Sequence, residues 1–213
     1  MKVVLISDTH CHKPELPEGD LLIHAGDLTL EGNGTETAAA LEWLGWEARK
    51  YRWVVLIAGN HDWWFYKAGK TWARQYCREA GANNIHYLQD EWTTLGGLSI
   101  YGSPWQPEFC DWAFNVKRGP DIKRYWDQIP SGLDILVTHG PPMGILDRSS
   151  AKGSSVGCAD LRVAVERTRP KMHVFGHIHG GRGAVETADT EFYNASMVDE
   201  AYRQVHRAWE IEL

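Results

Sequence analysis

Asn60, His61 and Asp62 set an amide, an imidazole and a carboxylate side by side, just after the apolar run 53–57 and a single glycine. These side chains bind divalent metals or move protons. The same arrangement recurs at four other places. Asp8 and His10 follow the apolar run 3–6, and Asp27 follows 20–24. His139 follows the run 133–137, and His177 and His179 follow 172–175. Together Asp8, His10, Asp27, Asn60, His139, His177 and His179 offer four imidazoles, two carboxylates and one amide oxygen. That is too many donors for one tetrahedral zinc ion, and it suits two metals sharing a bridge. Two dications bring about +4, two carboxylates −2 and a bridging hydroxide −1, leaving about +1. Such a site matches a phosphate ester anion better than a neutral substrate. The nitrogen and oxygen donors favour Mn, Fe or Zn, and the lack of thiolate argues against copper.

A lone histidine at a strand end is usually structural, and an aspartate after glycine often caps a turn. Here that explanation would have to hold separately at five segments. It is kept for the other histidines: His24 is expected to pack behind Asp27, and His12, His86, His173 and His206 have no ligand-like neighbours. Cys11 is read as a bystander.

Strands must carry these groups. Short apolar, β-branched runs bounded by turn residues read as buried strands. Open α/β sheets bind ligands at the carboxyl ends of such strands. In extended backbone, i, i+2 spacing puts Asp8 with His10, and His177 with His179, on one side. Helices are expected over about 35–50, 70–80 and 158–168. Ala38, Leu41, Leu44, Gly45 and Ala48 share a face of the first; Trp72, Ala73, Tyr76, Cys77 and Ala80 share one of the second, with Gly81 as its stop. Short strands fall at 91–101 around Gly96-Gly97, and closing strands at 191–194 and 208–213. The stretch 102–130 is loop-rich and aromatic, and reads as a small secondary core ahead of a pocket wall. The order of strands and helices is an α/β pattern.

At 213 residues the chain is expected to be a single domain over 1–213. Its hydrophobic share of 43% supports a sizeable core, and its net charge of −6 argues against a dedicated nucleic-acid binder. Cys11, Cys77, Cys110 and Cys158 show no CxxC spacing and read as free thiols of a reducing, cytoplasmic setting. No signal peptide or membrane-spanning run is evident.

Asp8-x-His10, Gly26-Asp27, Gly59-Asn60-His61-Asp62, Thr138-His139 and Gly176-His177-Ile178-His179 resemble, in order, the motifs of the calcineurin-like metallophosphoesterase superfamily. Gly102-Ser103-Pro104-Trp105, Trp112-Ala113-Phe114-Asn115 and Gly140-Pro141-Pro142 resemble its metallophosphoesterase-domain-containing (fetal-brain 239) subgroup. The resemblance implies an α/β fold of two packed mixed β-sheets flanked by helices, a four-layer sandwich. It implies that Asp8, His10 and His179 hold one metal, that Asn60, His139 and His177 hold the other, and that Asp27 bridges them. His61 would be the catalytic residue, as general acid or as stabiliser of the phosphoryl oxygens. Asp62 would orient a neighbour or cap its turn, with the cap favoured. The expected activity is a binuclear metal-dependent phosphodiesterase acting on nucleotides or other small phosphodiesters by metal-activated hydroxide attack. A phosphomonoesterase or protein phosphatase is the nearest alternative, with a nuclease after it. From a different class, a nucleotide-binding regulator with weak catalysis is the competing reading. Di-iron oxygen chemistry is disfavoured, because its Glu-rich helix motifs are missing.

Overall fold

The computed structural model describes residues 1–80, 83–149 and 153–213. In chain order the strands are β1 (Lys2–Ile6), β2 (Leu21–Ala25), β3 (Trp53–Ile57), β4 (Ile85–Tyr87), β5 (Glu91–Leu95), β6 (Leu98–Ser103), β7 (Gln106–Pro107), β8 (Asn115–Val116), β9 (Ile135–Thr138), β10 (Met172–Phe175), β11 (Gly183–Glu186), β12 (Glu191–Asn194) and β13 (Trp209–Glu212). The helices are α1 (Gly34–Glu47), α2 (Trp63–Ala80), α3 (Pro120–Trp126) and α4 (Ala159–Thr168).

Two large mixed sheets face one another. The first runs β13-β1-β2-β3-β4 and the second β11-β12-β10-β9-β6-β5. The inner strands are parallel, and β13, β11 and β5 are antiparallel edges. Side chains alternate across a strand, so each strand feeds two cores. Val3, Leu5, Leu21, Ile23, Val55 and Ile57 meet Ile100, Ile135, Val137 and Val174 between the sheets. Val4, Ile6, Leu22, Val54 and Leu56 point the other way, onto Leu41 and Leu44 of α1 and Ala73 and Cys77 of α2. On the far side Leu136, Phe175 and Phe192 pack on Ile122 of α3 and Leu161 and Val165 of α4. The layers are therefore helices, sheet, sheet, helices. Strands buried on both faces need continuous apolar runs, and this chain has them.

The two sheets also join just past the carboxyl ends of β1 and β12. Ser7 bridges Ser196 in parallel fashion, and Met197 N–H donates to the Ser7 carbonyl at 2.9 Å. This seam aligns the carboxyl ends of β1, β2, β3, β9, β10 and β12 at one end of the sandwich.

Several expectations need correction. The helix expected from residue 70 begins at Trp63, and Gly69 breaks it with φ 77 and ψ 163. Aromatic residues are mediocre helix formers; tertiary packing sets the first turns instead, with Phe65 buried against Tyr87 and the exposed Tyr66 edge-on to Phe114. Gly81, read as the stop of that helix, lies outside the described residues. Trp72 is exposed, because the buried stripe of α2 is narrow and centred on Ala73 and Cys77; Ala38 of α1 is exposed as well. The strand expected at 133–137 is shifted to Ile135–Thr138. Helix α3 lies inside the stretch read as loop. Within that stretch Phe114 and Trp126 are core, as expected, whereas Trp112 lies in the site described next.

Candidate metal centre

All seven predicted ligands and His61 lie at the aligned strand ends. Asp8, Asp27, His10, Asn60, His61 and His139 are buried, and His177 and His179 are partly exposed. Three overlapping groups bring their ligand atoms within 4.8 Å of one another: Asp8, His10 and His179; Asp27, His139 and His177; and His10, Asp27 and His61. Asp27 belongs to two of them. Its Oδ2 lies 3.7 Å from His10 Nε2 and 3.3 Å from His139 Nε2.

Asp8 and His10 converge, but not through extended backbone as expected, whereas His177 and His179 fall into different groups and do not close on one ion. Asp8 (φ 53), His10 (φ 43), Asp27 (φ 55) and His177 (φ 66) all adopt left-handed conformations. Such residues cost about 1–3 kcal/mol each and cluster at functional sites. Backbone pairing between the loops holds them. Asp8 N–H donates to the Gly26 carbonyl at 2.9 Å and His10 N–H to that of Asp27 at 3.1 Å. Asp8 accepts His177 N–H at 3.0 and 3.1 Å, and Asp27 Oδ1 accepts His61 N–H at 2.8 Å. The glycines before the ligands leave the space this needs. A Cβ on Gly176 would fall 2.0 Å from Asp8 Oδ2, and one on Gly59 would fall 2.3 Å from Asp27 Oδ1.

The imidazoles are aimed by backbone carbonyls. His10 Nδ1–H donates to Thr29 at 3.1 Å, His139 Nδ1–H to Ala25 at 3.0 Å, and His179 Nδ1–H to Asp199 at 3.1 Å. A neutral imidazole has one N–H, so each of these rings turns an Nε2 lone pair into the site. The consequence is acceptors facing acceptors. His10 Nε2 and His179 Nε2 are 3.3 Å apart, with Asp8 Oδ1 3.6 Å from the latter. His139 Nε2 lies 2.9 Å from Asn60 Oδ1 and 3.3 Å from Asp27 Oδ2. Lone pairs this close and this buried require positive charge among them. Metal cations fit that requirement. Without them the site takes up protons: burial opposes charge on His139, but Asp27 and Asp8 outweigh it and raise its pKa to about 9. The pKa of His179 is raised in the same way, against burial, by Asp8. Burial opposes ionisation of Asp27 and Asp8, and the surrounding imidazoles nevertheless hold both carboxyls well below the usual range.

A further layer fixes the loops. Asp62, fully buried, accepts Leu28 N–H at 3.2 Å, Thr29 N–H at 2.9 Å, Thr29 Oγ1–H at 2.7 Å and Gly59 N–H at 2.8 Å. It caps its own turn, as favoured from the sequence, and also ties that turn to the loop carrying Asp27. Burial and the Asp27 charge push its pKa up to about 6, against the pull of its donors. Asp62→Ala would strand three buried amides and leave the Thr29 hydroxyl only the His61 carbonyl at 3.3 Å, so a loss of about 3 kcal/mol is expected. Urea denaturation measures it; a loss within about 1 kcal/mol would reduce Asp62 to a turn cap. His24 sits behind Asp27 as expected, between Thr9 Oγ1 at 2.9 Å and Gly26 N–H at 3.3 Å.

His61 is held at the open side. Its Nδ1–H donates to the Leu30 carbonyl at 2.5 Å, and its Nε2 faces the Tyr202 hydroxyl at 3.5 Å. Trp112 lies against the ring at a centroid distance of 4.1 Å. Trp112 was legible as an aromatic that could wall a pocket. Tyr202 was not: its ring lies 4.8 Å from His10 and 5.2 Å from His179, yet a tyrosine in a polar loop carries no sequence pattern.

The fold and site define a class of protein. A family model described as "Calcineurin-like phosphoesterase" matches residues 1–181, and the chain belongs to that family, whose chemistry is metal-dependent hydrolysis of phosphoesters. Among curated proteins it is 39% identical, over 232 aligned positions, to Metallophosphoesterase domain-containing protein 1 of Homo sapiens and of Mus musculus; the match covers 100% of this chain and 71% of each relative. Two solved structures share the fold. One crystal structure aligns with a TM-score of 0.69 at 17% identity, covering 91% of this chain and 89% of the other. A second crystal structure, of a Thermus thermophilus protein, aligns with a TM-score of 0.61 at 12% identity, covering 91% of this chain and 88% of the other. Among the described residues no helix is long and apolar enough to cross a membrane. The same residues contain Cys11, Cys77, Cys110 and Cys158 as free cysteines.

Proposed function

We propose that this chain is a binuclear phosphodiesterase acting on nucleotides or other small phosphodiesters. The observation that carries the reading is the double set of opposed lone pairs. One set, His10 with His179 and Asp8, asks for one cation; the other, His139 with Asn60 and Asp27, asks for a second. In this reading Asp8, His10 and His179 hold the first ion. Asn60, His139 and His177 would hold the second, and Asp27 would be shared between the two. The donor set suits Mn, Fe or Zn. When bound, two such ions supply a water of lowered pKa and a clamp for in-line displacement at phosphorus.

The protein's own groups do the rest. Asp62 and the Leu30 carbonyl fix the position of His61 and its tautomer. Its Nε2, on the open side, presents a proton to the leaving oxygen or stabilises the phosphoryl oxygens. Trp112 stacks on His61 and bounds the space a nucleobase would fill. The charge of −6 goes with small substrates in preference to nucleic acid. The four free thiols fit a reducing cytoplasm. The shared core between the sheets supports reading 1–213 as one domain.

Matched substrates test this. With Mn²⁺ present, kcat/KM for an aryl diester is expected to exceed that for the monoester of the same leaving group, and a cyclic nucleotide is expected to turn over. A dianionic monoester is attracted more strongly but gains much of that attraction already in its ground state. A tenfold monoester advantage would overturn the diesterase reading in favour of a phosphatase. A winning diester with inert cyclic nucleotides would remove only the nucleotide.

A further inference from the structure

Tyr202 stands over the metal centre on a segment built to hold it there. Its hydroxyl lies 3.5 Å from His61 Nε2, and its ring lies edge-on to His10, His61 and His179 at centroid distances of 4.8, 5.8 and 5.2 Å. Its backbone is left-handed, at φ 59, where a bulky side chain is a genuine outlier. A clasp keeps it so. The Asp199 carboxylate accepts Ala201 N–H at 2.9 Å, Arg203 N–H at 3.0 Å, and the Arg203 guanidinium at 2.9 and 2.6 Å. Tyr202 N–H donates to the Asp199 carbonyl at 2.9 Å, the same carbonyl that aims His179. His12 Nε2–H donates to the Tyr202 carbonyl at 2.8 Å. Such an outlier, fixed on both sides and set against three site imidazoles, exceeds what packing requires. Tyr202 is 40% exposed, so it stands at the border between the buried imidazoles and solvent.

With Nδ1–H committed to Leu30, His61 Nε2 accepts from the Tyr202 hydroxyl while the site is free of substrate. Two donors 3.5 Å apart can both reach one oxygen at about 2.8 Å. We propose that Tyr202 is a further catalytic residue, whose hydroxyl donates to the leaving-group oxygen of the phosphoester beside protonated His61. The hydroxyl keeps its proton; His61 gives up its own. This rests on the phosphodiesterase reading above and names its leaving-group clamp.

Tyr202→Phe keeps the ring and removes only the donor. With metal content and melting temperature matching the wild type, kcat/KM is expected to fall about tenfold for a diester with an alkyl alcohol leaving group, the usual scale for one hydrogen bond to a charged centre. For a nitrophenolate leaving group, which needs little help, the loss should stay below about threefold. A second measurement needs no turnover. In the metal-free protein with ¹⁵N-labelled histidine, the His61 Nε2 resonance should shift in Tyr202→Phe and not in Tyr193→Phe, which alters a hydroxyl bonded to Glu191 on β12. An unchanged rate on the alkyl ester, an equal loss on both esters, or an unmoved His61 resonance would overturn the assignment of Tyr202 alone. If the wild type hydrolyses neither ester, the phosphodiesterase reading falls and the Tyr202 role falls with it.

Discussion

Asp27→Ala is expected to empty both halves of the site, whereas Asp8→Ala empties mainly one. Asp27 Oδ2 is the carboxylate oxygen that approaches imidazoles of both groups, at 3.7 Å from His10 Nε2 and 3.3 Å from His139 Nε2. Asp8 Oδ1 lies 3.6 Å from His179 Nε2, and Asp8 belongs to a single group, with His10 and His179. Removing Asp27 also removes the acceptor for His61 N–H, so the Gly59 turn loses one of its ties to the neighbouring loop. Losing an outer-shell partner costs about 10–100-fold in metal affinity; losing a shared ligand that carries charge should exceed that in both positions. Metal analysis of the purified variants reads the result directly. Two ions per chain in Asp27→Ala would show that Asp27 is no bridge. Asp27→Asn keeps the shape and removes the charge, so it separates the electrostatic part from the steric part.

His61→Ala is expected to retain its metals and to lose about 10²–10⁴-fold in rate, the span of a general acid. The ring contacts the backbone through Nδ1–H to Leu30 and packs on Trp112, so its removal leaves Asp62 and the ligand loops intact. His61 also comes within 4.8 Å of ligand atoms of His10 and Asp27, which makes metal content a real test. A variant that loses an ion would turn His61 from proton donor into ligand. With full metal content, the leaving group decides between the two remaining roles. A deficit that shrinks for nitrophenolate identifies proton donation, and an equal deficit for good and poor leaving groups identifies electrostatic stabilisation of the phosphoryl oxygens.

The inner strands were legible because burial on both faces demands uninterrupted apolar runs; Val3-Val4-Leu5-Ile6 could be little else. The ligand positions were legible because glycine and polar residues follow those runs at five separate places. The convergence of Asp8 with His10 was anticipated for a different reason from the one found. The i, i+2 spacing implies extended backbone, whereas left-handed residues on paired loops bring the two groups together. No local pattern reports φ for an aspartate or a histidine. Helix α3 escaped because seven residues are too few to show periodicity. The first turns of α2 escaped because Phe65 and Tyr66 are held by contacts with Tyr87 and Phe114, far along the chain. Tyr202 escaped for the same reason at larger scale: its neighbours His10 and His61 lie far from it in the sequence.

The seam that brings two sheets to one edge also sets an order of events in folding. Asp8 meets His177, and His10 meets His179, across 169 positions each; Asn60 meets His139 across 79. Contacts of such long range cannot close before the loops between them are paid for in entropy, so they form late. A nascent chain offers an ion no more than a local pair such as Asp8 with His10, short of either full set. The sheets must therefore assemble unaided, and capture comes after the rate-limiting step. An ion acting that late is a latch and not a nucleus: it leaves the speed of folding as it was and lengthens the lifetime of the folded chain.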